Sequence, residues 1–295
     1  MKQGDYVTRI SYGRDLVFKI EKIEGNLAIL RGIEYRLLAD APLSDLVPAD
    51  DPFTPEEQSN TRFRETVEKL QGFMRAMTAR TREGASQFLP PESHGVGQEH
   101  YFEVPGKVLH LDGDPAYLRK SMELYNKLRV PVEGHYIQEY RMAEALYRLL
   151  PQIEPDILVI TGHDGMYKGN RGGSPYSLKN YKNSANFVEA VKMARQFERN
   201  RDSLIIIAGA CQSHFEALLQ AGANFASSPG RILIHALDPV QIASKIAYTP
   251  VKETVRMKEM IEHTMSGIKG IGGIETRGCY RIGVPGFWKN SVAEQ

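Results

Sequence analysis

Two side chains in this sequence have the types and the spacing to do covalent chemistry together, His163 and Cys211. Each closes a short apolar run. Residues 157–165 read ILVITGHDG, and residues 204–215 read LIIIAGACQSHF. Runs of this length, rich in Ile and Val and bounded by Gly, are the pattern of fully buried parallel strands. Parallel strands joined by a helix lie side by side, and their carboxyl ends open onto one edge of the sheet. An imidazole and a thiol delivered to that edge make a nucleophile with its base. The residues after Cys211 read as a helix over 213–221, and a thiol near a helix N-terminus is drawn toward thiolate. The backbone N–H of Cys211, with one from Asp164 or Gly165, is placed to hold a developing oxyanion. Gly162, Gly165 and Gly209 leave room for a peptide backbone to come close.

Each residue also has a plainer reading. A single Cys after an apolar run is commonly a core thiol, and a single His there is commonly a loop residue. It is their pairing on adjacent strands that favours a dyad. His214, three residues past Cys211, is the rival base, and is expected to pack or hydrogen-bond on its own helix instead. The eight histidines show no HExxH or CxxC spacing, so no metal and no cofactor are expected.

The positioning elements follow from pattern. Residues 101–295 alternate strand and helix: strands at 107–112, 130–137, 157–161, 204–208, 224–227 and 232–236, helices at 115–128, 139–150, 184–199, 213–221 and 238–247. Asp114 before Pro115 is a helix start. Repeated units of this kind predict a mostly parallel sheet with helices on both faces. Residues 1–50 form a small β module, with strands at 5–10, 16–23, 27–31 and 35–38 separated by Gly13, Gly25 and Gly32. Its size suits an SH3-like barrel, read either as a docking module or as a structural appendage. Residues 51–100 read as a polar, solvated helix followed by a turn-rich linker. The glycine-rich tail holds a final strand or hairpin over 274–284, and Cys279 reads as structural.

Composition narrows the function classes. A hydrophobic share of 42% with 25% charged residues describes an ordinary globular protein. A net charge of +1 gives no reason to expect nucleic acid. Two cysteines make no disulfide framework and suggest a reducing compartment. No signal peptide and no apolar run of spanning length is expected, so no membrane partner either.

A block ending in His and a later one ending in Ala-Cys resembles the caspase-like cysteine peptidases, in which the His lies about 50 residues upstream. Here Asp164 stands between His163 and Gly165, a departure from the His-Gly order. A longer resemblance covers nearly the whole chain. HLDGD (110–114), PDILVITGHD (155–164), GACQSHFEA (209–217), AGANFASSP (221–229), HALDP (235–239) and GGIETRG (272–278) are similar to the YabG sporulation peptidases. The resemblance implies a caspase-like α/β domain behind the SH3-like module. It implies a cysteine endopeptidase with Cys211 and His163 as its catalytic residues, cutting after Arg and processing itself. Its implied substrates are spore coat, cortex-associated or germination proteins, and its implied location is the mother-cell cytoplasm at the developing coat. Self-association as a homodimer stays open. Arg specificity needs a carboxylate in the pocket. Asp112 is the first candidate and Asp114 the second, with Asp164 and Glu275 weaker; Ser227 and Ser228 can line the pocket or form a turn. A non-proteolytic Cys-His hydrolase or acyltransferase, or an inactive docking protein of the spore coat, are the alternatives.

Overall fold

The computed structural model describes residues 1–49, 57–86, 102–167 and 174–283. Most of the expected linker and the tail beyond residue 283 lie outside them.

The N-terminal module is one antiparallel sheet of five strands: β1 (Tyr6–Arg9), β2 (Phe18–Glu24), β3 (Leu27–Gly32), β4 (Leu38–Pro42) and β5 (Leu46–Pro48), in the order β4-β3-β2-β1-β5. Its strands alternate as a half-buried sheet does. Val7, Phe18, Ile20, Ala28, Leu30, Ala41 and Leu46 point inward and form a separate core. The strand expected at 35–38 is displaced: β4 begins only at Leu38, and residues 33–37 connect β3 to β4. Tyr35 and Leu37 do pair as strand residues, but through isolated bridges to His235 and Asp164, which lie outside the strands of either sheet. The β-forming character of this stretch is real; its partner is not β3.

Helix α1 (Glu57–Ser86) follows, then strand β6 (Phe102–Val104). The rest alternates: β7 (Val108–Asp112), α2 (Pro115–Lys127), β8 (Val132–Tyr136), α3 (Met142–Ile153), β9 (Ile157–Thr161), α4 (Ser184–Phe197), β10 (Ile205–Ala208), α5 (Phe215–Ala221), β11 (Phe225–Ser227) and α6 (Asp238–Tyr248). Short elements complete the described chain: β12 (Thr254–Val255), α7 (Met257–Ile261), β13 (Ile271–Gly273), β14 (Thr276–Arg277) and β15 (Arg281–Gly283). The main sheet runs β13-β11-β10-β9-β7-β8, parallel throughout except for the antiparallel edge strand β13. Every residue of β7, β9 and β10 is buried, which is why β9 and β10 read as near-continuous apolar runs rather than alternating ones, while β7 also buries His110 and Asp112.

One face of the sheet is covered by α1, α2 and α6 through Val67, Leu70, Tyr125, Val240 and Ile246. The other is covered by α3, α4 and α5 through Leu146, Leu150, Phe187, Val191 and Leu218. Helix α1 is therefore not solvated all round. Val67, Leu70 and Met74 recur at helical spacing, form an apolar stripe and enter the main core. Two further strand expectations change. Residues 232–236 form no sheet strand, because the backbone there makes a single bridge, His235 to Tyr35. The expected tail hairpin is replaced by β14 pairing β12 and β15 pairing β6. Cys279 is buried in the main core.

Candidate active site at the carboxyl edge of the sheet

Strands β9 and β10 pair in register from Ile157↔Ile205 to Ile160↔Ala208. The two chains leave the sheet together, the first into Gly162–His163–Asp164 and the second into Gly209–Ala210–Cys211. Gly209 has φ +109°, a turn that L side chains rarely adopt, and a Cβ there would meet Leu218 at 2.9 Å. Glycine is thus what lets the chain leave β10 toward Cys211.

The decisive geometry lies above this edge. The backbone N–H of Asp164 and that of Cys211 both donate to the carbonyl oxygen of Arg36, each at 3.2 Å. Arg36 belongs to the β3–β4 connection of the N-terminal module. Its side chain is fully buried and runs down into a pocket whose floor is Asp112, at the end of β7. Nη1 lies 2.8 Å from Asp112 Oδ2, Nε donates to the carbonyl of Ala236 at 3.0 Å, and the guanidinium sits over the Tyr117 ring, 4.8 Å from its centroid. Asp112 also accepts from Thr161 Oγ1 (3.1 Å) and the Asp114 N–H (2.9 Å), with His110 Nε2 at 3.6 Å. Burial alone would raise the Asp112 carboxyl. The Arg36 guanidinium and His110 outweigh it and hold the group at about 2.

The Cys211 sulfur is buried. It accepts from the Ile234 N–H at 3.2 Å and lies 3.6 Å from the Ile234 carbonyl. The expected pull toward thiolate does not materialise. Helix α5 starts only at Phe215, and its N-terminus is capped by the His214 imidazole, which accepts from the Ala217 N–H. Burial then dominates and pushes the thiol up to about 12, against the opposing N–H groups of Ile234 and Arg36 and the Arg36 charge. His163 is likewise buried, and burial pushes its imidazole down to about 4, with Asp114 pulling the other way. Its Nε2 lies 3.4 Å from the Gly32 carbonyl. Its Nδ1 has no hydrogen-bond partner and lies 3.9 Å from Asp114 Oδ2. The ring stacks on Tyr117, with centroids 5.3 Å apart.

The remaining sequence candidates divide by what they touch. Asp114 caps α2, accepting from the N–H groups of Ala116 and Tyr117, and faces Arg31 and His163. Asp164 is buried, and both its carboxylate oxygens are engaged. One accepts from the Gly165 and Asn183 N–H groups, the other from the hydroxyls of Ser184 and Ser213. The Gly165 N–H is therefore turned away from the Arg36 carbonyl, while a Cβ on Gly165 would strike the Leu38 carbonyl. Gly162 faces Glu139 in the same way, its added Cβ meeting Oε1 at 2.5 Å. Ser227 is buried with an unpartnered hydroxyl. Ser228, at φ +63°, is a turn residue whose Oγ bridges the Gln212 N–H and the Ile232 carbonyl. Glu275 is exposed. Among the described residues no group of His, Cys, Asp or Glu has the arrangement to hold a metal ion.

The whole-chain comparison is direct. The family model described as YabG peptidase U57 matches residues 2–285. The chain belongs to this YabG peptidase family. It is 47% identical over 289 residues to the sporulation-specific protease YabG of Bacillus subtilis (strain 168), an alignment covering 96% of this chain and 97% of that protein. No solved structure matches the chain.

Three residues of the candidate site in this YabG-family chain escaped the sequence reading. Arg36 falls inside the strand expected at 35–38, where nothing set it apart. Tyr117 read as an ordinary α2 residue, yet its hydroxyl donates to the carbonyls of Gly32 and Tyr35. Glu139 read as a helix start, yet it is buried and its Oε1 accepts the His163 N–H at 2.9 Å. Neither periodicity nor spacing signals these three, because each acts on a residue far away in the chain.

Proposed function

We propose that this protein is a sporulation protease working as a cysteine endopeptidase, with Cys211 as nucleophile, His163 as base and arginine as the preferred residue before the cut. One observation carries the reading. A peptide carbonyl rests on two converging N–H groups beside the Cys211 thiol, while the arginine side chain of that same residue pairs with Asp112. Those are the two recognitions an Arg-directed peptidase makes of its substrate.

In this mechanism the unpartnered Nδ1 of His163 takes the Cys211 proton as sulfur attacks the carbonyl carbon. The Asp164 and Cys211 N–H groups hold the resulting oxyanion. Asp114 is a positioning residue that steadies the imidazolium, and Glu139 fixes the His163 backbone. His163 then protonates the leaving amine, and water releases the acyl group from sulfur. Substrates of this class are spore coat, cortex-associated or germination proteins bearing exposed arginines, and self-processing follows from the same specificity. Association with the coat in the mother cell fits a protease of this kind.

The test is a panel of peptides differing only in the residue before the cut. Wild-type protein should cut Arg peptides and leave Asp and Leu peptides intact. Cys211→Ala and His163→Ala should lose the activity by about 10³-fold or more. Arg-peptide cleavage that survives Cys211→Ala removes the reading.

A further inference from the structure

Residues 33–37 approach the cleft as a substrate would. On one side of Arg36, Tyr35 makes an antiparallel bridge to His235, and its carbonyl accepts from the Tyr117 hydroxyl at 3.0 Å. On the other side, Leu37 bridges Asp164 and the Leu38 N–H donates to the Asp164 carbonyl at 2.7 Å. Between them the Arg36 carbonyl takes the N–H groups of Asp164 and Cys211, and the Arg36 guanidinium fills the Asp112 pocket. The His163 Nε2 faces the Gly32 carbonyl, and the Gly32 N–H donates to the Leu37 carbonyl. The imidazole is thereby held beside Gly32, the residue that pairs with Leu37, and against the Tyr117 ring. A cavity of about 220 Å³ borders Leu37, Met166 and Gln212.

We propose that the Arg36–Leu37 peptide bond is a processing site cut in cis by Cys211, and that until it is cut residues 33–37 keep other arginine-bearing substrates out of the cleft. The proposal rests on the cysteine-endopeptidase reading and adds its site and its consequence. The Cys211 Sγ forms a bond to the Arg36 carbonyl carbon, and the bond from that carbon to the Leu37 nitrogen breaks. Leu37 leaves as an amine with the proton from His163. Water then hydrolyses the thioester, leaving Arg36 as a carboxylate terminus and the thiol restored. The nick frees residues 33–36 from their Leu37 anchor, while β3 and β4 still hold the two pieces together by their ladder.

A tethered segment competes at an effective concentration of about a millimolar, so a peptide at ~10 µM is excluded about a hundredfold until the cut is made. The experiment follows purified full-length protein at two concentrations by intact-mass spectrometry, alongside a fluorogenic Arg-peptide assay. The expected products are residues 1–36 and 37–295, formed at a first-order rate independent of concentration. They should be absent from Cys211→Ala, including when that variant is mixed with wild type. Peptide cleavage by wild type should show a lag that tracks nicking, and Arg36→Gln should show none. Arg36→Lys keeps the buried cation and serves as the folded control should Arg36→Gln unfold; it should nick more slowly than wild type. Wild-type protein that stays intact and cuts peptide without a lag overturns the proposal and makes Arg36 a structural strut, with the endopeptidase reading untouched. Nicking of Cys211→Ala by added wild type overturns the cis route. Failure of wild type and both Arg36 variants to cut any Arg peptide removes the endopeptidase reading, and the proposal with it.

Discussion

Arg36 and Asp112 face each other at 2.8 Å with neither side chain exposed to solvent. The pair joins the N-terminal β module to the end of a central strand of the main sheet. A buried ion pair is costly to assemble but more costly to break halfway, because the survivor is left charged and unpaired. Asp112→Asn should lower stability by roughly 3–5 kcal/mol. The double variant Asp112→Asn/Arg36→Gln should recover part of that loss, and urea unfolding of the two singles and the double gives the coupling.

The pH dependence of stability has a defined sign. The His163 imidazole sits at about 4 in the folded protein, held down by burial, against about 6.5 in the unfolded chain. Between those values the unfolded state binds the extra proton, so stability falls as pH drops from 6.5 toward 4, by up to about 3 kcal/mol. Urea melts at several pH values should show the fall, and His163→Asn should make it shallower, the remaining slope coming from His110, His235 and His263, whose imidazoles burial also holds down. An equally steep fall in that variant would place the titration elsewhere.

Both thiols should resist alkylation while the fold is intact. Burial pushes Cys211 and Cys279 each up to about 12, so at pH 8 only about one molecule in ten thousand carries either thiolate. Iodoacetamide should leave both unlabelled on a timescale of minutes and label both after denaturation. Fast labelling of Cys211 in uncut protein would contradict the buried placement of its sulfur.

Glu139 is expected to matter more than its surface-like chemistry suggests. It accepts the His163 N–H, and burial raises its carboxyl above the usual range while that N–H opposes the shift. Glu139→Ala leaves a buried N–H unsatisfied and should cost about 1–3 kcal/mol, whereas Glu139→Gln keeps an acceptor and should cost less. Thermal unfolding of the two variants distinguishes them. The activity of Glu139→Gln should stay closer to wild type than that of Glu139→Ala.

Asp164 ties three segments to one carboxylate, the loop after β9, the start of α4 and the turn after Cys211, through Gly165, Ser184 and Ser213. Asp164→Ala removes an acceptor from two buried hydroxyls and two N–H groups at once. It should destabilise by several kcal/mol, roughly the sum of more than one lost buried hydrogen bond, and should loosen the position of Cys211. Hydrogen exchange at residues 209–214 should rise in that variant; unchanged protection there would argue that the turn holds itself.

The sequence by itself determined the sheet and its chemical edge. The near-continuous apolar runs of β9 and β10 mark strands covered on both faces, and such strands in alternation with helices set the register that carries His163 and Cys211 to neighbouring strand ends. Asp114 before Pro115 fixed the start of α2, and the module's glycines marked most of its turns. What only the tertiary structure decided is what fills the cleft. The stretch 33–37 has strand-like residues, but hydrogen bonds across the chain, from Tyr35 to His235 and from Leu37 to Asp164, take it out of its own sheet. The chemical state of the thiol was decided in the same way. A local reading places Cys211 at a helix N-terminus and favours thiolate, whereas burial beneath a segment distant in the chain makes desolvation the larger effect. Local pattern reports on neighbours in the chain; a buried charge pair and a desolvated sulfur depend on neighbours in space.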